Sequence, residues 1–283
     1  MKAGLEVWRV TASAVSVSAL VLAVTGQAYA QPVDPAKKAL AAPQVTELQT
    51  QSRAILMRMA QFLGGAQSFS VNIRDGYDVV QKSGQKIEFG DKRKVILSRP
   101  DQLRAEGERS DGTKTQVVFN GKEIVLVDAT RNVYATAPQP GGVDDTVVHF
   151  VRDLGIRFPL ARMLVSRLPA EFEDQVRSVD YVEKTSIDGV PCHHLAARSD
   201  TVDFQVWVAD GDKPLPQRVV ITYKKAAGQP QFWAHFSDWD MAPAINDSTF
   251  LLQVDGLRKI AFAAQLPSTS PAPRKTSPGK GAK

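Results

Sequence analysis

Cysteine is almost missing from this chain: Cys192 is the only one in 283 residues. No intrachain disulfide can form, and no Cys-x-x-Cys pair exists for redox chemistry or zinc. Histidine is scarce, with four residues. No H-E-x-x-H, G-x-S-x-G or phosphate-loop pattern occurs, so the common signatures of metalloprotease, serine hydrolase and nucleotide hydrolase chemistry are lacking. A stretch of ~20 strongly apolar residues, which a spanning helix needs, is lacking as well. No segment repeats at a fixed period.

What the N-terminus does have is a leader pattern. Lys2 and Arg9 precede a weakly apolar run from Val10 to Val24, which ends at Ala28-Tyr29-Ala30. Small-x-small is the pattern that signal peptidase cuts. Residues 1–30 therefore read as a signal peptide cleaved after Ala30, in preference to an uncleaved anchor, and the mature chain is exported. No cysteine lies near the cut, which excludes lipid modification there. Residues 31–43 form a polar lead. Residues 267–283 are rich in Pro, Ser, Lys and Gly and cannot bury enough surface to offset chain entropy, so they read as a disordered basic tail.

Net charge changes meaning once the ends are set aside. The whole chain carries 35 basic and 30 acidic residues. Without Lys2, Arg9 and Glu6, and without Arg274, Lys275, Lys280 and Lys283, the part between holds 29 of each. A neutral core gives no electrostatic footprint for nucleic acid. The basic tail suits solvation, or at most transient contact with an anionic membrane surface.

Residues 44–266 form one domain. Val45–Leu63 has a helical stripe at Leu48, Ser52, Ile55, Met59 and Phe62, stopped by Gly64-Gly65. From Phe69 the period changes to two. Strands are predicted at Phe69–Tyr77, Lys86–Leu97, Leu103–Ser110, Thr115–Phe119, Glu123–Asp128 and Val133–Thr136. Asp111-Gly112 and Asn120-Gly121 mark tight hairpin turns. Val143–Arg152 and Leu160–Arg167 read as short helices bounded by Pro159 and Pro169. Strands resume at Val176–Lys184, Val190–Ala197, Phe204–Val208, Gln217–Tyr223 and Gln231–Trp239. The order predicts an α+β fold: a single curved antiparallel sheet of about ten strands, an incomplete β-barrel, with an N-terminal helix and short helices on its concave face.

A sheet with one wet face alternates apolar and polar residues. Ile124–Val127, Phe204–Val208 and Phe232–Phe236 do not; both faces are apolar, so something must cover the second one. Helices, another subunit or a greasy ligand would serve. Large apolar side chains on these strands, Leu126, Trp207, Trp233, Phe236 and Trp239, are the candidates to line an apolar pocket; ordinary core packing is the alternative. Cys192-His193-His194 is the only dense cluster of metal-ligating types. Cys192 and His194 share a strand face, and a tetrahedral site would still need His149, His235 or Asp238. Asp238-Trp239-Asp240 can pair two carboxylates, or simply end a strand, where Asp favours turns.

Three segments carry a family resemblance. They are Ser98-Arg99-Pro100-Asp101-Gln102-Leu103-Arg104; Val118-Phe119-Asn120-Gly121-Lys122-Glu123-Ile124-Val125-Leu126-Val127-Asp128 with Val133-Tyr134-Ala135-Thr136; and Ile245-Asn246-Asp247-Ser248-Thr249-Phe250. In this order they resemble the periplasmic lipoprotein and lipid carriers of the LolA, LolB and LppX type, most of all a predicted-periplasmic branch of that superfamily. Val125 stands where the carriers have a strand Trp, and Ser98 where they have Lys before Arg-Pro. The resemblance implies a half-barrel that holds acyl chains without chemistry, in the periplasm, with no cofactor, metal or catalytic residue. It also implies that Arg99 helps hold a helical lid shut. The cargo would be a lipid or acylated protein. Sensing mislocalised lipoproteins by docking an envelope partner is the alternative use of the same fold.

Overall fold

The computed structural model describes residues 47–154 and 160–262. The leader, the polar lead, Pro159 and the basic tail lie outside those residues. The first helix, α1 (Glu47–Gly65), buries Ser52, Ile55, Leu56, Met59, Ala60 and Leu63. This stripe is rotated from the expected one: Leu48 is 53% exposed and Phe62 only partly buried. Gly64-Gly65 lies within the last turn. Gly64 permits a close approach, because a Cβ there would sit 2.7 Å from the Ser166 carbonyl oxygen and 3.1 Å from Pro169 Cδ.

Every strand expected from the hairpin pattern is present, and one more follows. They are β1 (Ser68–Val80), β2 (Lys86–Ser98), β3 (Gln102–Arg109), β4 (Lys114–Asn120), β5 (Glu123–Asp128), β6 (Val133–Pro138), β7 (Val176–Ile187), β8 (Val190–Ser199), β9 (Val202–Ala209), β10 (Pro216–Tyr223), β11 (Gln231–Asp240) and β12 (Arg258–Lys259). They make one unclosed sheet in the order β12-β6-β5-β4-β3-β2-β1-β11-β10-β9-β8-β7. Two meanders, β1 to β6 and β7 to β11, are joined antiparallel where β1 meets β11. The expected antiparallel sheet has one departure: β12 runs parallel to β6. Gly112, Gly121 and Gly189 have φ near +80° in the turns read from sequence, a conformation that glycine adopts without strain.

The connection between the meanders differs most from expectation. α2 (Val143–Val148) runs into a π-helical turn at His149–Asp153. A 3₁₀ turn at Ala161–Leu164 precedes α3 (Leu168–Gln175). Pro169 starts α3 instead of ending a helix, since the first turn needs no N–H from it. α3 buries only Leu168, so its apolar period was too weak to read.

The inner face of the sheet, under these helices, holds the core. Phe69, Val71, Ile73, Val95, Leu97, Phe119, Ile124, Leu195, Val206, Phe232 and Phe236 pack with Leu56, Met59, Leu63, Leu164 and Leu168 in one cluster. The outer face is covered in two ways. Over β3 to β6 runs the chain's own C-terminal segment. Arg104 Nη1 donates to the carbonyls of Thr249 and Leu251, and Phe250, Val118 and Val127 are all buried. Over β8 to β11 the outer face carries a row of side chains described below. The second apolar face of β5 is thus covered by the chain itself.

Candidate functional site

The inner face is not filled uniformly. A cavity of about 380 Å³ lies over β2 to β5. Its floor is Leu103, Ala105, Val117, Phe119, Ile124 and Leu126. These residues alternate along their strands and pair across them, as Val117 does with Leu126 and Ala105 with Val117. Thr146, Val147 and Phe150 of α2 and the π turn form the roof. The volume falls in the roughly 300–1,000 Å³ range of small-ligand sites. A smaller apolar cavity of about 130 Å³ lies between α3 and β9–β10, lined by Phe172, Phe204, Val206, Val219 and Ile221 among others. Between the two, the barrel is filled by Leu160, Met163 and Leu164 against Phe69, Phe236 and Trp239.

Charge gathers at one end of the larger cavity. Asp91, Arg93, Asp128 and Arg131 line it there. Arg93 Nε donates to Asp75 Oδ2 at 2.7 Å, and Arg93 also pairs with Asp91. Asp75 is 1% exposed, and its Oδ1 has no hydrogen-bond partner. Burial pushes its carboxyl above the ordinary range, opposed by Arg93. The folded chain thus holds this proton more tightly than the unfolded chain does. Stability is lost as pH rises from the ordinary value of 3.8 through the raised one, and stays lost above it. Asp75→Asn cannot ionise. Across that window the difference in urea midpoint between variant and wild type is expected to move in the variant's favour, then level off. A difference that stayed flat would show that Asp75 is not desolvated.

Arg99 ties the roof down. Its Nε donates to the Ala66 carbonyl at 2.9 Å, Nη2 to the Leu164 carbonyl at 2.9 Å and Nη1 to Asp144 Oδ1 at 3.2 Å. These acceptors belong to the end of α1, the 3₁₀ turn and the first turn of α2. Asp144 also accepts from Ser166 N and Oγ. Burial lowers the Arg99 pKa from its ordinary value, with Asp144 acting against that.

The sequence candidates fall in three places. Leu126 lines the larger cavity. Phe236 and Trp239 stack with ring centroids 5.8 Å apart beside the filled middle. Trp239 reaches the inner face only because Asp238 takes a positive φ of 54° and the β1–β11 register shifts there. Trp207 and Trp233 stand on the outer face. Trp207 stacks on His194 at 4.0 Å, with the Arg218 guanidinium 5.3 Å from its ring. Trp233 covers Gly76, where a Cβ would lie 2.6 Å from the indole, and donates to Glu88. Neither indole lines the inner cavities.

The chemical candidates are engaged elsewhere. His193 bonds Tyr181 Oη and Asp210, His194 bonds Gln205, and His149 bonds Asp153. Burial pushes the Cys192 thiol up, away from the reactive thiolate. Among the described residues no group of three His, Cys, Asp or Glu side chains is placed to hold a metal ion. Asp238 accepts from Asn72 and Asp240 from the Ala242 amide, so both carboxylates serve the strand end. Sequence reasoning placed a short helix over this face but missed the lining residues: Leu103, Ala105, Val117 and Phe119 of the floor and Thr146, Val147 and Phe150 of the roof. The alternation of Leu103 with Ala105 and of Val117 with Phe119 was the available signal.

The model of a family described as predicted periplasmic protein (DUF2092) matches residues 52–263. No curated protein matches the chain. Solved structures give weak likenesses of fold. LprF from Mycobacterium bovis is 14% identical, with 69% of this chain and 95% of that one covered and a TM-score of 0.44. The lipoprotein LppX of Mycobacterium tuberculosis is 13% identical, with 70% and 99% covered and a TM-score of 0.43. In the MucA/MucB complex of Pseudomonas aeruginosa the identity is 16%, with 72% of this chain and 61% of that one covered and a TM-score of 0.38. Among the described residues no helix is long and apolar enough to cross a membrane.

Proposed function

The chain belongs to that family of predicted periplasmic proteins, and from this premise we propose that it is a binding protein that holds an acyl chain of a lipid, a lipoprotein or a similar amphiphile beneath α2. The observation that carries the reading is the 380 Å³ cavity itself, with an aliphatic and aromatic floor and a helical roof. Covering each methylene is worth about 0.8 kcal/mol, so such a space holds a chain without any reacting group. The Arg99–Asp144 tie fixes the roof, which makes α2 and the turns on either side the natural gate. No catalytic role is assigned to any residue.

The test is a titration with a fluorescent fatty acid, displaced by unlabelled oleate, alongside native mass spectrometry of protein purified from its host. Saturable, displaceable binding is expected. Its absence would sink the carrier reading and leave partner docking in its place. Export completes the proposal: protein from the envelope fraction should begin at Gln31 by N-terminal sequencing. Finding Met1 on a membrane-bound product would contradict cleavage after Ala30.

A further inference from the structure

The far ends of two hairpins stand side by side. The turn Gln81–Gln85 links β1 to β2, and the turn Lys224–Pro230 links β10 to β11. They are locked together: Lys86 Nζ donates to the Gln229 carbonyl at 3.0 Å, and Gly228 lies so close to Val80 that a Cβ would meet it at 2.9 Å. Asp78 Oδ2 accepts from the Gln231 amide. The result is a braced prong.

Its inner side is apolar and bare. Tyr77 pairs with Phe89 and Val79 with Ile87 across β1 and β2. The Tyr77 and Phe89 rings stack at 6.1 Å. Val79, Ile87 and Phe89 are 38%, 39% and 41% exposed. This patch continues the core. A cross-strand row runs Phe204, Ile221, Phe232, Tyr77, Phe89 through five neighbouring strands. It starts at the smaller cavity, which Phe204 and Ile221 line. Around the patch the acids are matched: Asp78 by Lys86, Asp203 by Lys224 and Asp200 by Arg177. Glu88 is hydrogen-bonded to Trp233 on the other face. Lys82 and Lys225, one on each turn, are exposed; Lys225 lies in the field of Asp200, whose carboxylate hydrogen-bonds Arg177.

We infer that this prong is a docking surface for an anionic lipid bilayer. Phe89, Ile87 and Val79 would enter the headgroup–acyl boundary while Lys82 and Lys225 meet lipid phosphates. Exposed apolar side chains flanked by lysine suit that interface, where buried apolar area and attraction to anionic lipid act together. The braced tips present the patch at the rim of the sheet, and the aromatic row leads from it to the interior. The inference does not depend on what the cavities hold.

Protein beginning at Gln31 and keeping its C-terminal tail is sedimented with vesicles of phosphatidylcholine, with and without phosphatidylglycerol. Wild type is expected to follow the anionic vesicles. The pair Ile87→Ser with Phe89→Ser, and separately Lys82→Glu with Lys225→Glu, should each weaken that binding at least about fivefold, with unchanged melting curves. All forms keep the basic tail, so its contribution cancels. Undiminished binding of the serine pair would overturn the inference. So would a wild type that self-associates through this patch and ignores vesicles, or equal capture by neutral and anionic vesicles, which would overturn the anionic partner.

Discussion

Leu126→Asp is expected to abolish saturable binding of a fluorescent fatty acid. The side chain lies on the cavity floor between Val117 and Ala135, its partners on the neighbouring strands. A carboxylate there has no free counter-ion beside it: Asp128, two residues along the same face, already pairs with Arg131, and Arg93 is held by Asp75 and Asp91. Burying an unpaired charge under an acyl chain costs several kcal/mol, enough for a loss of more than about 100-fold in affinity. Two controls separate this from simple misfolding. Leu126→Ala enlarges the cavity and should keep binding within about tenfold, in line with the few methylenes lost. Trp207→Phe, on the outer face, should leave binding unchanged. If Leu126→Asp bound as well as wild type while folded by circular dichroism, the acyl site would have to lie elsewhere, and the smaller cavity beside Phe172 and Phe204 would be the next to probe.

Arg99→Leu is expected to loosen the roof rather than the sheet. It removes three hydrogen bonds from a side chain only 10% exposed and leaves the Ala66 and Leu164 carbonyls without that donor. Hydrogen bonds to a charged donor contribute about 1.5–3 kcal/mol each before compensation. A net loss of about 2–3 kcal/mol and a thermal midpoint lower by roughly 4–12 °C follow for a domain of this size. The sharper readout is local. Amide exchange should quicken in α2, the π turn and the 3₁₀ turn, and probe release should accelerate about tenfold, while β7–β11 exchange as before. Asp144→Asn should reproduce part of this, and the double variant should add less than the sum, because the two groups share one tie. Uniformly faster exchange across the sheet would make Arg99 a general stabiliser and not a latch.

The strands were legible because each is short, alternates, and ends in a turn with its own chemistry. Asp111-Gly112 and Asn120-Gly121 name their hairpins, and the positive φ of both glycines is what those turns require. Side-chain direction was less accessible. Trp233 and Trp239 are six residues apart and would share a face in a regular strand, yet the backbone irregularity at Asp238 separates them. No local pattern announces such a bulge. Trp207 was grouped with the pocket by its size, although Phe204, Val206 and Val208 already marked the opposite face as the core. Two apolar faces on β5 pointed to a covering element, and the element is residues 241–262, more than a hundred positions away in sequence. Arg99 could be picked out from its Arg-Pro setting, but its three acceptors lie on segments that only the fold brings together. α3 escaped because a helix of two turns with one buried residue leaves almost no period to read.

The order of the sheet has a consequence for how the molecule is made. β1 is near the beginning of the domain and its neighbour β11 near the end; Asn72 and Asp238, hydrogen-bonded across that seam, are 166 positions apart. Hairpins such as β4–β5 and β8–β9 can zip as soon as their turns exist, whereas joining β1 to β11 must wait until nearly the whole domain is available and must overcome a large closure entropy. During synthesis or translocation, β1 therefore keeps one long unpaired edge, with Phe69, Val71 and Ile73 bare beside it, until residues 231–240 arrive. The vulnerable interval for aggregation is set by this central seam and not by the outer rims of the finished sheet.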